Sequence, residues 1–143
     1  MAEFKIEPAH LEQLRSAIKR LNETKPLSLA EQKVLEDKDN AYRDLVLSDG
    51  QATLGKVGGS DVLYQLPEAE FKAQLRSKQN DLGDMLRLFN SFLDSWFSTA
   101  RMAVPPYYPD RIAVILRKAK CFELEKVFLA AYFRHFWFEQ GSA

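Results

Sequence analysis

Leu11, Leu14, Ile18 and Leu21 recur at spacings of three and four, which draws one apolar stripe along a helix over residues 9–22. Pro8 suits the first turn of that helix, and Asn22 with the Lys25-Pro26 step marks its stop. Ser28-Leu29-Ala30-Glu31 has the form of a capping box, in which the serine hydroxyl and the glutamate carboxylate each take a free backbone N–H of the other residue. It predicts a second helix carrying Val34, Leu35, Lys38, Ala41, Tyr42, Leu45 and Val46, closed by Asp49-Gly50, so that two helices fill residues 9–48. The pattern then changes. Four of the six glycines fall between 50 and 66, and the β-prone runs Thr53–Val57 and Val62–Leu66 flank Gly58-Gly59-Ser60-Asp61, as in a small hairpin or an irregular loop.

Pro67-Glu68 opens a third helix with Phe71 and Leu75 inward. The fourth carries Leu82, Met85, Leu86, Phe89, Leu93, Trp96, Phe97 and Ala100 at helical spacing, widened by Leu88 and Phe92, so that helices account for 67–100. Pro105, Pro106 and Pro109 predict an extended connector. Asp110 is placed to cap the next helix, which runs to about Lys120, and a last helix covers 123–138. Residues 110–138 thus form a helical hairpin. The whole predicts a mainly α multi-helix bundle, a single domain over 1–143, with helices 2 and 4 and the C-terminal hairpin as its core.

Composition fits that picture. The chain has 143 residues, 46% hydrophobic and 28% charged, and at this length folding buries roughly 68–70% of the unfolded surface. Twenty basic residues balance twenty acidic ones. That neutrality argues against a dedicated nucleic-acid binder, which needs cationic excess to displace counterions from phosphates. The local excess lies near the C-terminus, where Arg101, Arg111, Arg117 and Lys118 make a candidate basic patch. One cysteine, Cys121, permits no intrachain disulfide, and Met1-Ala2-Glu3-Phe4-Lys5 does not read as a secretory leader. With no apolar run near the ~18 residues a membrane span requires, the expectation is a cytoplasmic protein that does not enter the membrane.

Candidate chemistry is sparse. Gly50-Gln51-Ala52-Thr53-Leu54-Gly55-Lys56-Val57 has the glycine and lysine spacing of a phosphate-binding loop. Val57 stands where a magnesium-holding Ser or Thr is needed, and Gly58-Gly59 follows where a helix must start. His10 and His135 have no His or Cys at metal-ligand spacing. Cys121 and His135 lie about one helix apart, with no third group marked to orient the base. Glu123 and Glu125 fall in a first helical turn, where their charge suits the dipole. The reading is a non-enzymatic chain with no metal and no cofactor.

The aromatic residues are less evenly spread: thirteen of seventeen lie between Phe89 and Phe138. On the last helix Leu124, Val127, Phe128, Ala131, Tyr132, His135 and Phe136 form one stripe, and Leu129, Ala130, Phe133 and Trp137 a second. A short chain has difficulty covering both. The central-core reading therefore stands beside one in which Leu129, Phe133 and Trp137, with Tyr107 and Tyr108 of the connector, anchor a protein interface.

The run from Pro109 to Leu129 carries a resemblance. Ala113 is the small residue in a first helix, Phe122 the aromatic after the turn, and Val127, Phe128 and Leu129 the apolar lining of a second helix. With these, residues 109–138 resemble a single tetratricopeptide-type helical hairpin. Glu125 occupies the place of the usual small residue, and the characteristic first-helix aromatic is missing. The resemblance implies a helical hairpin and a peptide-binding role. The functional expectation is a protein-interaction module that binds a protein partner or itself as a homo-oligomer. The alternatives are a small inhibitor or immunity-type regulator of a toxin or enzyme, and a nucleic-acid-associated factor using the basic patch.

Overall fold

The computed structural model describes the backbone of residues 6–47, 66–100 and 103–141, and the side chains of 6–45, 66–100 and 103–136. Regular structure among them is helical: α1 (Pro8–Glu23), α2 (Leu29–Leu47), α3 (Glu68–Lys78), α4 (Leu82–Thr99), α5 (Tyr107–Lys118) and α6 (Phe122–Gly141). The protein is a mainly α multi-helix bundle. The 50–57 loop, the 50–66 hairpin or loop up to Gln65, Arg101 and the Trp137 side chain lie outside the described residues.

Local signals set most helix ends. Pro8 occupies the first turn of α1, and a capping box forms just before it, with the His10 ring accepting from the Glu7 N–H at 3.2 Å. Ser28 and Glu31 close the expected box at the start of α2, both bonds at 3.1 Å. The Asp81 carboxylate caps α4 by accepting from the Asp84 N–H. Between α5 and α6, Lys120 takes a left-handed backbone with φ 62°. The Lys120 N–H donates to Arg117 O at 3.0 Å and the Cys121 N–H to Leu116 O at 2.8 Å, a Schellman closure that ends α5 and reverses the chain.

α5 starts earlier than the proline pattern suggested. Residues 107–109 are helical, with Pro106 as N-cap and Pro109 in the first turn. The reason is that the first N–H groups of a helix have no intrahelical acceptor, so a proline there forfeits nothing. Asp110 lies inside the first turn and is not the cap; its N–H donates to Pro106 O at 3.0 Å.

The core lies between α1, α4, α5 and α6. Leu14, Ala17, Ile18 and Leu21 enter it from α1, and Leu82, Met85, Leu86, Leu88, Phe89, Leu93 and Trp96 from α4. Ile112, Ile115 and Leu116 come from α5, and Phe128, Ala131, Tyr132 and Phe136 from α6. Phe89 meets Phe128 edge-on at 5.3 Å, and Trp96 meets Phe136 at 5.6 Å, so α4 and α6 point in the same direction and their aromatic side chains meet in the core. His10 touches Gly83 at one end of α1, and Arg20 binds Asp94 at 2.8 Å near the other, so α1 is parallel to α4 as well.

α2 is not a core helix, and here the expectation is corrected. None of its described side chains is a fully buried hydrophobe. It lies against α4, with half-buried Leu35 packed on the core and the Asp39–Arg43 pair covered, its Nε–Oδ2 distance 2.6 Å. Val34, Tyr42 and Leu45, expected on its inner stripe, are exposed.

Candidate functional site

Tyr108, expected at an interface, is 3% exposed and stacks on Phe92 with ring centroids 5.4 Å apart. It is a core residue, because helix formation from Tyr107 onward turns its ring under α4. Tyr107 stays at the surface, edge-on to Tyr108. The first stripe of α6 is core apart from Val127, which is exposed, and half-buried Leu124. The second stripe lies at the rim: Ala130 is exposed, and Leu129 and Phe133 are half-buried against the core, Phe133 with its ring 5.4 Å from Tyr132. Phe122, which sequence reasoning did not place at a surface, is 57% exposed at the head of the same helix.

The candidate basic patch is largely occupied by the fold. Arg111 donates to Gln79 O at 3.2 Å and to Asn80 Oδ1, tying α5 to the α3–α4 turn. Arg117 binds Glu125 through two nitrogens, at 3.1 and 2.6 Å, across the hairpin, and this pairing holds its guanidinium above its ordinary pKa. Lys118 is exposed. These arginines position helices and do not present a continuous cationic face.

No nucleophile–base pair is assembled from Cys121 and His135. They stand at opposite ends of the regular part of α6, about 21 Å apart at 1.5 Å per residue. The Cys121 thiol lies 3.8 Å from Ala119 O. His135 is buried, with Nε2 donating to Leu21 O at 2.6 Å and its ring edge-on to Phe97 at 5.5 Å. Burial pushes its pKa down and the neighbouring Arg134 charge adds to this, while the Leu21 carbonyl opposes it.

A surface hollow of about 870 Å³ is an open groove between α1 and α4. His10, Gln13, Asp84, Arg87, Asn90 and Asp94 line it, and a smaller hollow extends it towards Arg20. Its charges are engaged, Arg20 with Asp94 at 2.8 Å and Arg87 with Asp84 at 3.8 Å. Among the described residues no three His, Cys, Asp or Glu side chains gather as metal ligands.

The most exposed apolar surface is on α2. Val34 is 51% exposed, Tyr42 54% and Leu45 74%. Val34, Ala41 and Leu45 follow one helical line, roughly opposite the covered Asp39 and Arg43, and exposed Tyr42 lies to one side of it, on the line of half-buried Leu35 seven residues before. At 1.5 Å per residue the stripe is about 16 Å long. The sequence showed these apolar residues but assigned them to the core, because spacing alone does not say which side of a helix meets the bundle. Among the described residues no helix is long and apolar enough to cross a membrane. Compared with known protein families, curated proteins and solved structures, the chain matches none.

Proposed function

We propose that this protein is a non-enzymatic interaction module that binds a protein partner on the outward face of α2. The observation that carries the reading is the exposed apolar line of Val34, Ala41 and Leu45, with exposed Tyr42 at its flank, on a helix that lies against α4 and covers Leu35, Asp39 and Arg43 on its other side. Covering a leucine side chain is worth about 1.5–3 kcal/mol, so three large side chains of this kind supply the anchoring centre of a modest interface. Asp37 and Asp44 border this surface as a polar rim, and Lys38 lies within it between Val34 and Tyr42. The resemblance of residues 109–138 to a tetratricopeptide-type hairpin supports the same class of activity. Exposed Phe122 and Val127 on α6 favour a second, smaller contact there.

The test uses a photo-crosslinking phenylalanine analogue at Tyr42 in cells making the protein, with the same analogue at exposed Glu23 as control. Adducts to a protein are expected at Tyr42 and lost on adding Leu45→Glu, which leaves the thermal midpoint unchanged. Absence of Tyr42 adducts, or unfolding of Leu45→Glu, refutes the proposal.

A further inference from the structure

Leu21 O lies in the last turn of α1, where carbonyls have no donor from their own helix. Two consecutive residues of α6 supply the donors. His135 Nε2 lies 2.6 Å from Leu21 O, and Arg134 reaches Leu21 O at 2.6 Å and Thr24 O at 2.8 Å. Immediately after them α6 breaks its helical geometry, at Phe136 with φ −123° and ψ 21°. We propose that Arg134 and His135 form an acid-opened latch between the end of α1 and α6, directly before the kink at Phe136.

The chemistry follows from which nitrogen carries the proton. A carbonyl only accepts, so Nε2 must be the protonated nitrogen and Nδ1 the bare one. Nδ1 is buried and has no hydrogen-bond partner. Taking up a second proton therefore creates a buried cation with one donor unsatisfied. The charged groups that the junction brings up to it do not relieve this. On α6, Arg134 has its guanidinium nitrogen 3.3 Å from the His135 ring. On α1, Arg20 lies over the Phe97 ring against which His135 packs. On α4, the Asp94 carboxylate is bound by Arg20 and mostly exposed.

The imidazole thus binds a proton less readily when the latch is closed than when it is open. Opening takes up a proton, so the closed form is whole above the ordinary histidine value of about 6.5 and is lost as pH falls through the lowered one. One linked proton changes the opening constant by up to about tenfold per pH unit. This inference does not depend on the docking face of α2.

The chain has two histidines, which makes the test unambiguous. Amide hydrogen exchange is followed from pH 7.5 to 5, after correction for the intrinsic rate, together with imidazole nitrogen NMR. Opening at residues 24–25 and 134–136 is expected to rise below pH 6.5 by up to tenfold per unit, while the Leu88 and Phe89 amides hold. His135→Gln, whose amide can still donate to Leu21 O but does not titrate, is expected to flatten the response, and His10→Gln to leave it intact. NMR on the unsubstituted protein is expected to show His135 protonated at Nε2 and titrating below 6.5. A His135 titration at or above 6.5, an unchanged response in His135→Gln, or acid opening that involves the core equally overturns the latch.

Discussion

Gly83 lies beneath the ring of His10, and the contact is close enough to calculate with. A Cβ added at Gly83 would come within 2.6 Å of His10 Nε2 and 2.9 Å of Cδ2, where ordinary contact begins near 3.4 Å. In Gly83→Ala the ring must retreat by nearly 1 Å. The same ring accepts the Glu7 N–H that closes the start of α1, at 3.2 Å, so the retreat undoes that bond. Losing a helix-terminal cap of this kind costs about 1 kcal/mol, and a side chain forced off its rotamer adds about 0.5–1.5 kcal/mol. Against this, alanine in place of glycine in a helix gains about 0.5–1 kcal/mol. The net expectation is a loss of about 0.5–2 kcal/mol. With His10→Ala already in place the obstruction is absent, and Gly83→Ala should then stabilise by about 0.5–1 kcal/mol. Urea unfolding of the four proteins in this cycle gives the coupling, expected near 2 kcal/mol. Equal increments in both backgrounds would show that His10 and Gly83 do not constrain each other.

Lys120→Gly should raise stability by about 1 kcal/mol, read as a higher thermal midpoint, because glycine adopts the left-handed backbone of the α5–α6 turn without a Cβ penalty; an unchanged or lower midpoint counts against that geometry. Tyr132→Phe should cost about 1–3 kcal/mol in urea unfolding, since the Tyr132 hydroxyl donates at 3.0 Å to a buried carbonyl, that of Val104, which would lose this donor; a loss below about 0.5 kcal/mol would mean the carbonyl finds another.

What could be read from the sequence was mostly local. The Ser28–Glu31 box, Pro8 in its first turn and the broad stripe of α4 depend on residues three or four apart, and each recurs in the structure. The seating of α2 was hidden for a specific reason. Its apolar stripe is real but faces outward, while its bundle side carries Asp39 and Arg43, which are covered because they neutralise each other. A rule that sends charges outward reads such a helix back to front. Tyr108 was misassigned because prolines suggest extended chain, although in a first helical turn they are harmless. The neighbours of His135 were half foreseen. Its place on the inner stripe of α6 followed from the local sequence, but the Leu21 carbonyl, more than a hundred residues away, left no trace in it.

The contact of α6 with the end of α1 also bears on the order in which the molecule can be built. Leu21 is made early on the ribosome and its two donors late, separated by 113 and 114 positions in the chain. During that interval α1 has neither its terminal donors nor the aromatic wall of α6, and short helices without tertiary support are marginal in water. α4 reaches α1 before α6 does, but the end of α1 is closed only by the last helix. The part of the α1 apolar stripe that faces α6 stays open to chaperones or to neighbouring nascent chains until residue 135 has emerged, so consolidation of this bundle follows the synthesis of α6.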